Sequence, residues 1–194
     1  DIAADGTTIT EVATLEHDTD DGTFNSLVQV DSDTYALAYA GTGQDGFIST
    51  FTISSSGVIT AVRTQSLGNN LEHDTAQGKY NSLVQVDADT YALAYADDAS
   101  DGYISTFDIA ADGTTITEVA TLEHDADFGM FNSLVQVDSD TYALAYSGSG
   151  YDGFISTFDI AADGTITAVK TQSLGNNLEH DESTGAYNSL VQVD

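Results

Sequence analysis

Apolar and polar positions alternate along this chain with a period of two, in short runs separated by stretches rich in Asp, Ser and Gly. From Tyr35 to Ala40, Tyr35, Leu37 and Tyr39 fall on one face of an extended segment, and Ala36, Ala38 and Ala40 on the other. Both faces are apolar, one large and one small, which predicts a strand buried on both sides. A short apolar strand, Ser26–Val30, is predicted before it. Phe47–Ile53 follows, with Phe47, Ser49, Phe51 and Ile53 alternating against Ile48 and Thr50. Val58–Ser66 is β-branched and more polar, the pattern of an outer strand. Asp31-Ser32-Asp33 joins the first two strands, and Asp45-Gly46, Asp101-Gly102 and Asp152-Gly153 precede the third. Asp5-Gly6, Ser56-Gly57, Asp112-Gly113 and Asp163-Gly164 join the third to the fourth, where a short polar residue followed by Gly suits a tight turn. No segment has a helical period, and 67–80 reads as coil.

The stretch Asn25–Phe51 returns as Asn81–Phe107 and Asn132–Phe158, and NSLVQVD opens once more at Asn188. LEHD tetrads begin at Leu15, Leu71, Leu122 and Leu178, in steps of 56, 51 and 56 residues, so two repeat types alternate. Residues 1–87 laid on 108–194 differ at 16 positions, almost all in turns or at strand ends. Four antiparallel strands in about 50 residues is the size of a propeller blade. The expected fold is therefore all-β and β-propeller-like, with four-stranded antiparallel blades repeating every 51–56 residues. It is read as a single repeat domain over 1–194, with whole blades near 25–67, 81–118 and 132–173 and partial blade strands at 1–14 and 188–194. A pair of β-sandwich domains is the alternative, against which the likeness of half-periods argues. A β-solenoid, whose coils use shorter repeats, ranks below it. The repeat grammar resembles that of tandem propeller-type repeats in large surface proteins of marine microbes, over the whole chain. With no Trp there is no WD dipeptide, and the paired glycines of kelch blades are missing as well.

Charge narrows the partners. The chain has 32 acidic residues against three basic ones, Arg63, Lys79 and Lys170, for a formal net charge of −29. Such a surface repels phosphate backbones and anionic lipid, so neither nucleic-acid binding nor membrane insertion is expected. Self-repulsion of this size is best tolerated in salt, which points to an extracellular or cell-surface setting. Cysteine is absent, so there is no disulfide framework and no thiol chemistry.

Three groups of residues invite chemistry. The pairs His17-Asp18, His73-Asp74, His124-Asp125 and His180-Asp181 occur in every repeat, whereas a catalytic site needs one asymmetric constellation. Neighbours on an extended segment also point apart, so the pair reads as a structural polar motif, its imidazole hydrogen-bonded between blades just before the inner strand. Calcium is the one candidate cofactor, on the loops carrying Asp18, Asp20 and Asp21 and Asp97, Asp98 and Asp101. Neither loop is followed by the bidentate Glu of an EF-hand, and solvated turn acids are the plainer reading. Phe128 and Tyr151 replace Asp21 and Gln44 of the first half, and are the candidate binding-loop residues. No G-x-S-x-G elbow or phosphate loop occurs.

The expectation from sequence is thus a non-enzymatic, structural or adhesive segment of a repetitive surface protein or filament. A glycan- or protein-binding propeller module is the alternative. Its partners would be further copies of the same repeat, from self-assembly or a longer array, or a glycan or surface protein. Asp1 aligns just after a third strand and Asp194 just after a first strand, so open edges are expected at the two ends.

Overall fold

Short turns favour pairing of strands adjacent in sequence, and the main path of each sheet follows that order. The computed structural model describes residues 6–192. The first sheet runs β1 (Thr23–Gln29), β2 (Thr34–Ala40), β3 (Gly46–Ile53) and β4 (Ile59–Arg63), with β5 (Leu71–Asp74) also pairing β3. The second is β6 (Lys79–Gln85), β7 (Thr90–Ala96), β8 (Gly102–Ile109) and β9 (Ile116–Asp125). The third is β10 (Met130–Gln136), β11 (Thr141–Ser147), β12 (Gly153–Ile160) and β13 (Ile166–Lys170), with β14 (Leu178–Asp181) also pairing β12. These are three blades of a β-propeller-like fold.

The two-faced second strand makes the stacking work. In the first interface, Ala36, Ala38 and Ile48 of one blade pack on Tyr91, Leu93, Tyr95 and Phe107 of the next. In the second, Ala92, Ala94 and Ile104 meet Tyr142, Leu144, Tyr146 and Phe158. Small side chains on one sheet let the large ones of its neighbour approach, and β7, lying between both interfaces, is buried along its whole length. Hydrogen bonds repeat in step with this packing. Ser26 Oγ accepts from Leu83 N at 2.9 Å and Ser82 Oγ from Leu134 N at 2.9 Å, tying neighbouring inner strands. Thr50 Oγ1 donates to Gly113 O and Thr106 Oγ1 to Gly164 O, both at 2.7 Å. The acceptor turns need glycine, with φ of 70° at Gly113 and 80° at Gly164.

Several expectations are corrected. The first strand starts at Thr23, ahead of NSLVQVD. The fourth ends at Arg63 rather than Ser66, and three of the four LEHD tetrads are strand (β5, β14 and the end of β9), whereas that at Leu15 is not. The predicted coil at 67–80 therefore contains β5 and the start of β6. The shorter repeat runs straight through as the ten-residue β9, whereas the longer repeats insert a 3-10 turn at Gln65–Leu67 or Gln172–Leu174. Asn69 closes that insert: its Oδ1 accepts from Thr64 N at 3.0 Å and its Nδ2 donates to Val62 O at 3.2 Å. Of the partial strand at 1–14, residues 1–5 lie outside the described residues, and from Gly6 onward only Ile9 makes a bridge. Of that at 188–194, residues 193–194 lie outside them, and 188–192 carry no strand pairing.

Candidate ligand face

The LEHD histidines are packed rather than displayed. The ring centroid of His124 lies 4.8 Å from that of Tyr146 and 5.9 Å from that of Phe158. His73 repeats this against Tyr95 and Phe107 at 4.8 and 5.9 Å, and His17 meets Tyr39 at 4.5 Å. The expected hydrogen-bonded imidazole is corrected: both ring nitrogens of His73 and His124 are buried without a partner. Burial alone lowers both side chains to a pKa of about 3. The expectation that His and Asp point apart also fails at His124 and Asp125, both fully buried. Gly102 pairs with Asp125 and Tyr103 with Glu123, so a bulge at His124 breaks the alternation and turns both side chains inward. His180, at the end of the series, is exposed.

Glycine makes room for these rings. A Cβ on Gly129 would overlap the Gly102 Cα, and one on Gly78 would overlap the Gly46 Cα. Each Asp of the tetrad then caps the loop that follows. Asp125 Oδ1 accepts from Asp127 N at 3.0 Å and Phe128 N at 3.1 Å, and Asp74 and Asp181 do the same. Asp18 Oδ1 accepts from Asp20 N at 2.9 Å, and Asp97 Oδ1 from Ala99 N and Asp101 N at 3.0 and 2.9 Å. Asp20 Oδ2 accepts from Thr42 Oγ1 at 2.9 Å. The candidate calcium carboxylates thus organise turns, and among the described residues no group of three or more His, Asp or Glu is placed to hold a metal ion. Asp21 and Asp98 lie exposed in the same loops.

Each capped loop leads through a glycine into an aromatic residue with left-handed backbone: Phe24 (φ 54°), Tyr80 (φ 56°), Phe131 (φ 55°) and Tyr187 (φ 60°). Bulky side chains rarely adopt this conformation, which costs on the order of 1–3 kcal/mol per residue. The first three sit in bulges at the start of β1, β6 and β10, and the following Asn side chain bonds back to the glycine carbonyl, as Asn132 Nδ2 does to Gly129 O at 2.8 Å. Phe24 to Tyr80, Tyr80 to Phe131 and Phe131 to Tyr187 have centroids 4.6, 4.6 and 4.7 Å apart, tilted by 50–54°. The result is one continuous aromatic row crossing all three blades. Phe24 is 37% exposed and Tyr187 84%.

The turns between second and third strands dock on the glycines that lead into this row. Gly129 N donates to Ser100 O at 2.8 Å and Gly185 N to Tyr151 O at 2.7 Å. Phe128 and Tyr151, the two candidate loop residues, come together here with centroids 5.3 Å apart. Burial raises the Tyr80 phenol, and the phenols of Tyr187 and Tyr151 raise it further. Carboxyls crowd the neighbouring turn, where Glu123, Asp97, Asp101 and Asp74 surround Tyr103. Burial raises Asp101, as do the charges of Glu123, Asp125, Asp127 and Asp98, while burial also raises Asp97. The four row aromatics escaped sequence reasoning, although an aromatic stands immediately before every NSLVQ in the chain.

No family model and no curated protein matches this chain. Among solved structures it is similar to a candidate 6-phosphogluconolactonase from Bacteroides fragilis, at 14% identity and TM-score 0.60 over 87% of this chain and 41% of that one. It is similar to a protein from Lactobacillus plantarum at 16% identity and TM-score 0.58, over 88% of this chain and 49% of the other. The NanB sialidase from Streptococcus pneumoniae matches at 12% identity and TM-score 0.51, over 85% of this chain and 25% of the enzyme. The chain thus spans less than half the length of these proteins, and the likeness is one of fold. It nonetheless corrects the expectation of a non-catalytic structural or adhesive segment with a binding module as its alternative. Enzymes share this architecture, so repetition and acidity do not assign a structural role. Among the described residues no helix is long and apolar enough to cross a membrane.

Proposed function

We propose that the chain carries the substrate face of a β-propeller enzyme that hydrolyses a carbohydrate. The observation that supports this reading is the aromatic row from Phe24 to Tyr187, with the acidic turn that holds Asp97 and Asp101 bonded to the loop leading into Phe131. Aromatic rings offer flat apolar surface to the C–H faces of a sugar, and Tyr hydroxyls add hydrogen bonds at the edges. Glycoside hydrolysis needs two carboxyl groups, one protonated to donate to the leaving oxygen and one ionised. Asp101, raised by burial and by the Glu123 charge, is the proposed proton donor, and Glu123 the proposed second carboxyl. The sialidase and the candidate lactonase lend precedent for enzymes on this fold, without any correspondence of residues. Release of reducing ends from an oligosaccharide panel tests the reading. Asp101→Asn should abolish release while leaving binding intact, and Phe131→Ala should weaken binding. If no oligosaccharide is bound or cleaved by the native chain, the reading is wrong.

A further inference from the structure

Resting on that carbohydrate reading, we infer that the aromatic row selects sugars bearing a protonated amine, an amino-sugar oligomer, over neutral or anionic ones. Acids crowd the loops that lead into the row and the turns bonded to those loops. The loops leading into it carry the exposed Asp20 and Asp21 before Phe24 and the exposed Asp127 before Phe131. The turns docked against it carry Asp97, Asp98 and Asp101 in the second blade and Asp152 beside Tyr151 in the third. The only cation of these loops and turns is Lys79, next to Tyr80, because Arg63 and Lys170 sit at the ends of the outer strands β4 and β13. Arg63 is already occupied, its Nη1 donating to Thr114 O at 3.1 Å.

Two separate attractions therefore favour a cation at this face. The π-faces of Phe131, Tyr187 and Tyr80 carry negative quadrupole, and an ammonium within about 6 Å of a ring centroid is held by it. The field of a chain with net charge −29 concentrates cations and repels a phosphate or carboxylate on the ligand. A neutral sugar gains the stacking alone, and an anionic sugar meets repulsion with one lysine to offset it. Row length favours an oligomer over a monosaccharide, since four rings spaced 4.6 to 4.7 Å apart offer consecutive contact points.

Calorimetric titration of the whole chain with three hexamers, of glucosamine, of N-acetylglucosamine and of glucose, in slightly acidic buffer tests this. At low salt the glucosamine hexamer should bind at least about tenfold more tightly than either other hexamer. At about 1 M NaCl, where the screening length falls to ~3 Å, the gap should shrink to about twofold. Tyr187→Ala, at an exposed position that leaves the core intact, should weaken binding of the glucosamine hexamer about tenfold while leaving the denaturation midpoint unchanged. If the three hexamers bind alike at low salt, amine selection is wrong and the carbohydrate reading stands. If none binds, both fall. Tighter binding of the amine form that survives both Tyr187→Ala and Phe131→Ala places the cation away from the row and overturns the inference.

Discussion

Replacing Gly129 with Ala is a sharp probe of how the blades lock together. Gly129 has no left-handed backbone, so alanine brings no dihedral strain, but its Cβ would overlap the Gly102 Cα of β8 and would lie 3.4 Å from His124 Cε1. The obstacle is backbone in a paired strand, with the fully buried His124 beneath it, so neither can yield by rotating a side chain. Overpacking of this kind costs typically 1–3 kcal/mol, and a backbone clash belongs at the upper end, so about 3 kcal/mol is expected. For a chain of this size that is a fall in Tm of roughly 6–12 °C. Gly175→Ala is the control: it has φ of 66° but open space around its Cβ, so it carries strain without overlap. Its loss should be about 1 kcal/mol. Urea midpoints at unchanged slope give both values. If Gly129→Ala costs no more than Gly175→Ala, the close approach of Gly102 and Gly129 is not what seats the histidine.

Three further outcomes are expected. His124 has a folded pKa of about 3, below the ordinary 6.5, so its contribution is complete above pH 6.5 and is lost as pH falls towards 3. Between pH 6.5 and 4.5 the loss should be about 2–3 kcal/mol for each such imidazole, and urea midpoints for the native chain and His124→Asn should show a shallower pH slope in the variant. Ser82→Ala removes the acceptor of Leu134 N between β6 and β10, at a cost of about 1–2 kcal/mol, whereas Ser139→Ala in an exposed turn should be nearly silent by the same assay. Raising NaCl from about 0.1 to 1 M should raise the Tm by screening the acids, and CaCl₂ at matched ionic strength should add little; a large extra gain from Ca²⁺ would show a specific site in the acidic loops.

The blades were legible because both their strands and their stacking follow from alternation. Tyr35, Leu37 and Tyr39 against Ala36, Ala38 and Ala40 announce a strand with one large and one small face, and that asymmetry is how neighbouring sheets fit. The LEHD tetrad was misplaced because its apolar content is one Leu, too little to signal a strand, and its pairing with β3, β8 and β12 comes from across the sheet. The burial of both His124 and Asp125 was hidden by the bulge, an event of backbone register that no alternation rule contains. The aromatic row was hidden for a related reason. Phe24, Tyr80, Phe131 and Tyr187 break the period of two and lie 56, 51 and 56 residues apart, and only the stacking of inner strands brings them into contact. Phe128 and Tyr151 stood out as departures from the first half of the chain, but their meeting depends on the turn at Ser149–Tyr151 docking beside Gly185.

The most direct test of the aromatic row as the substrate face is a chemical-shift map of the ¹⁵N-labelled chain titrated with glucosamine hexamer. The largest changes should fall on the amides of Phe24, Tyr80, Phe131 and Tyr187 and the asparagines that follow them, with Tyr151 and Asp101 next. Changes confined to the outer strands β4 and β13, or no change at saturating hexamer, would contradict it.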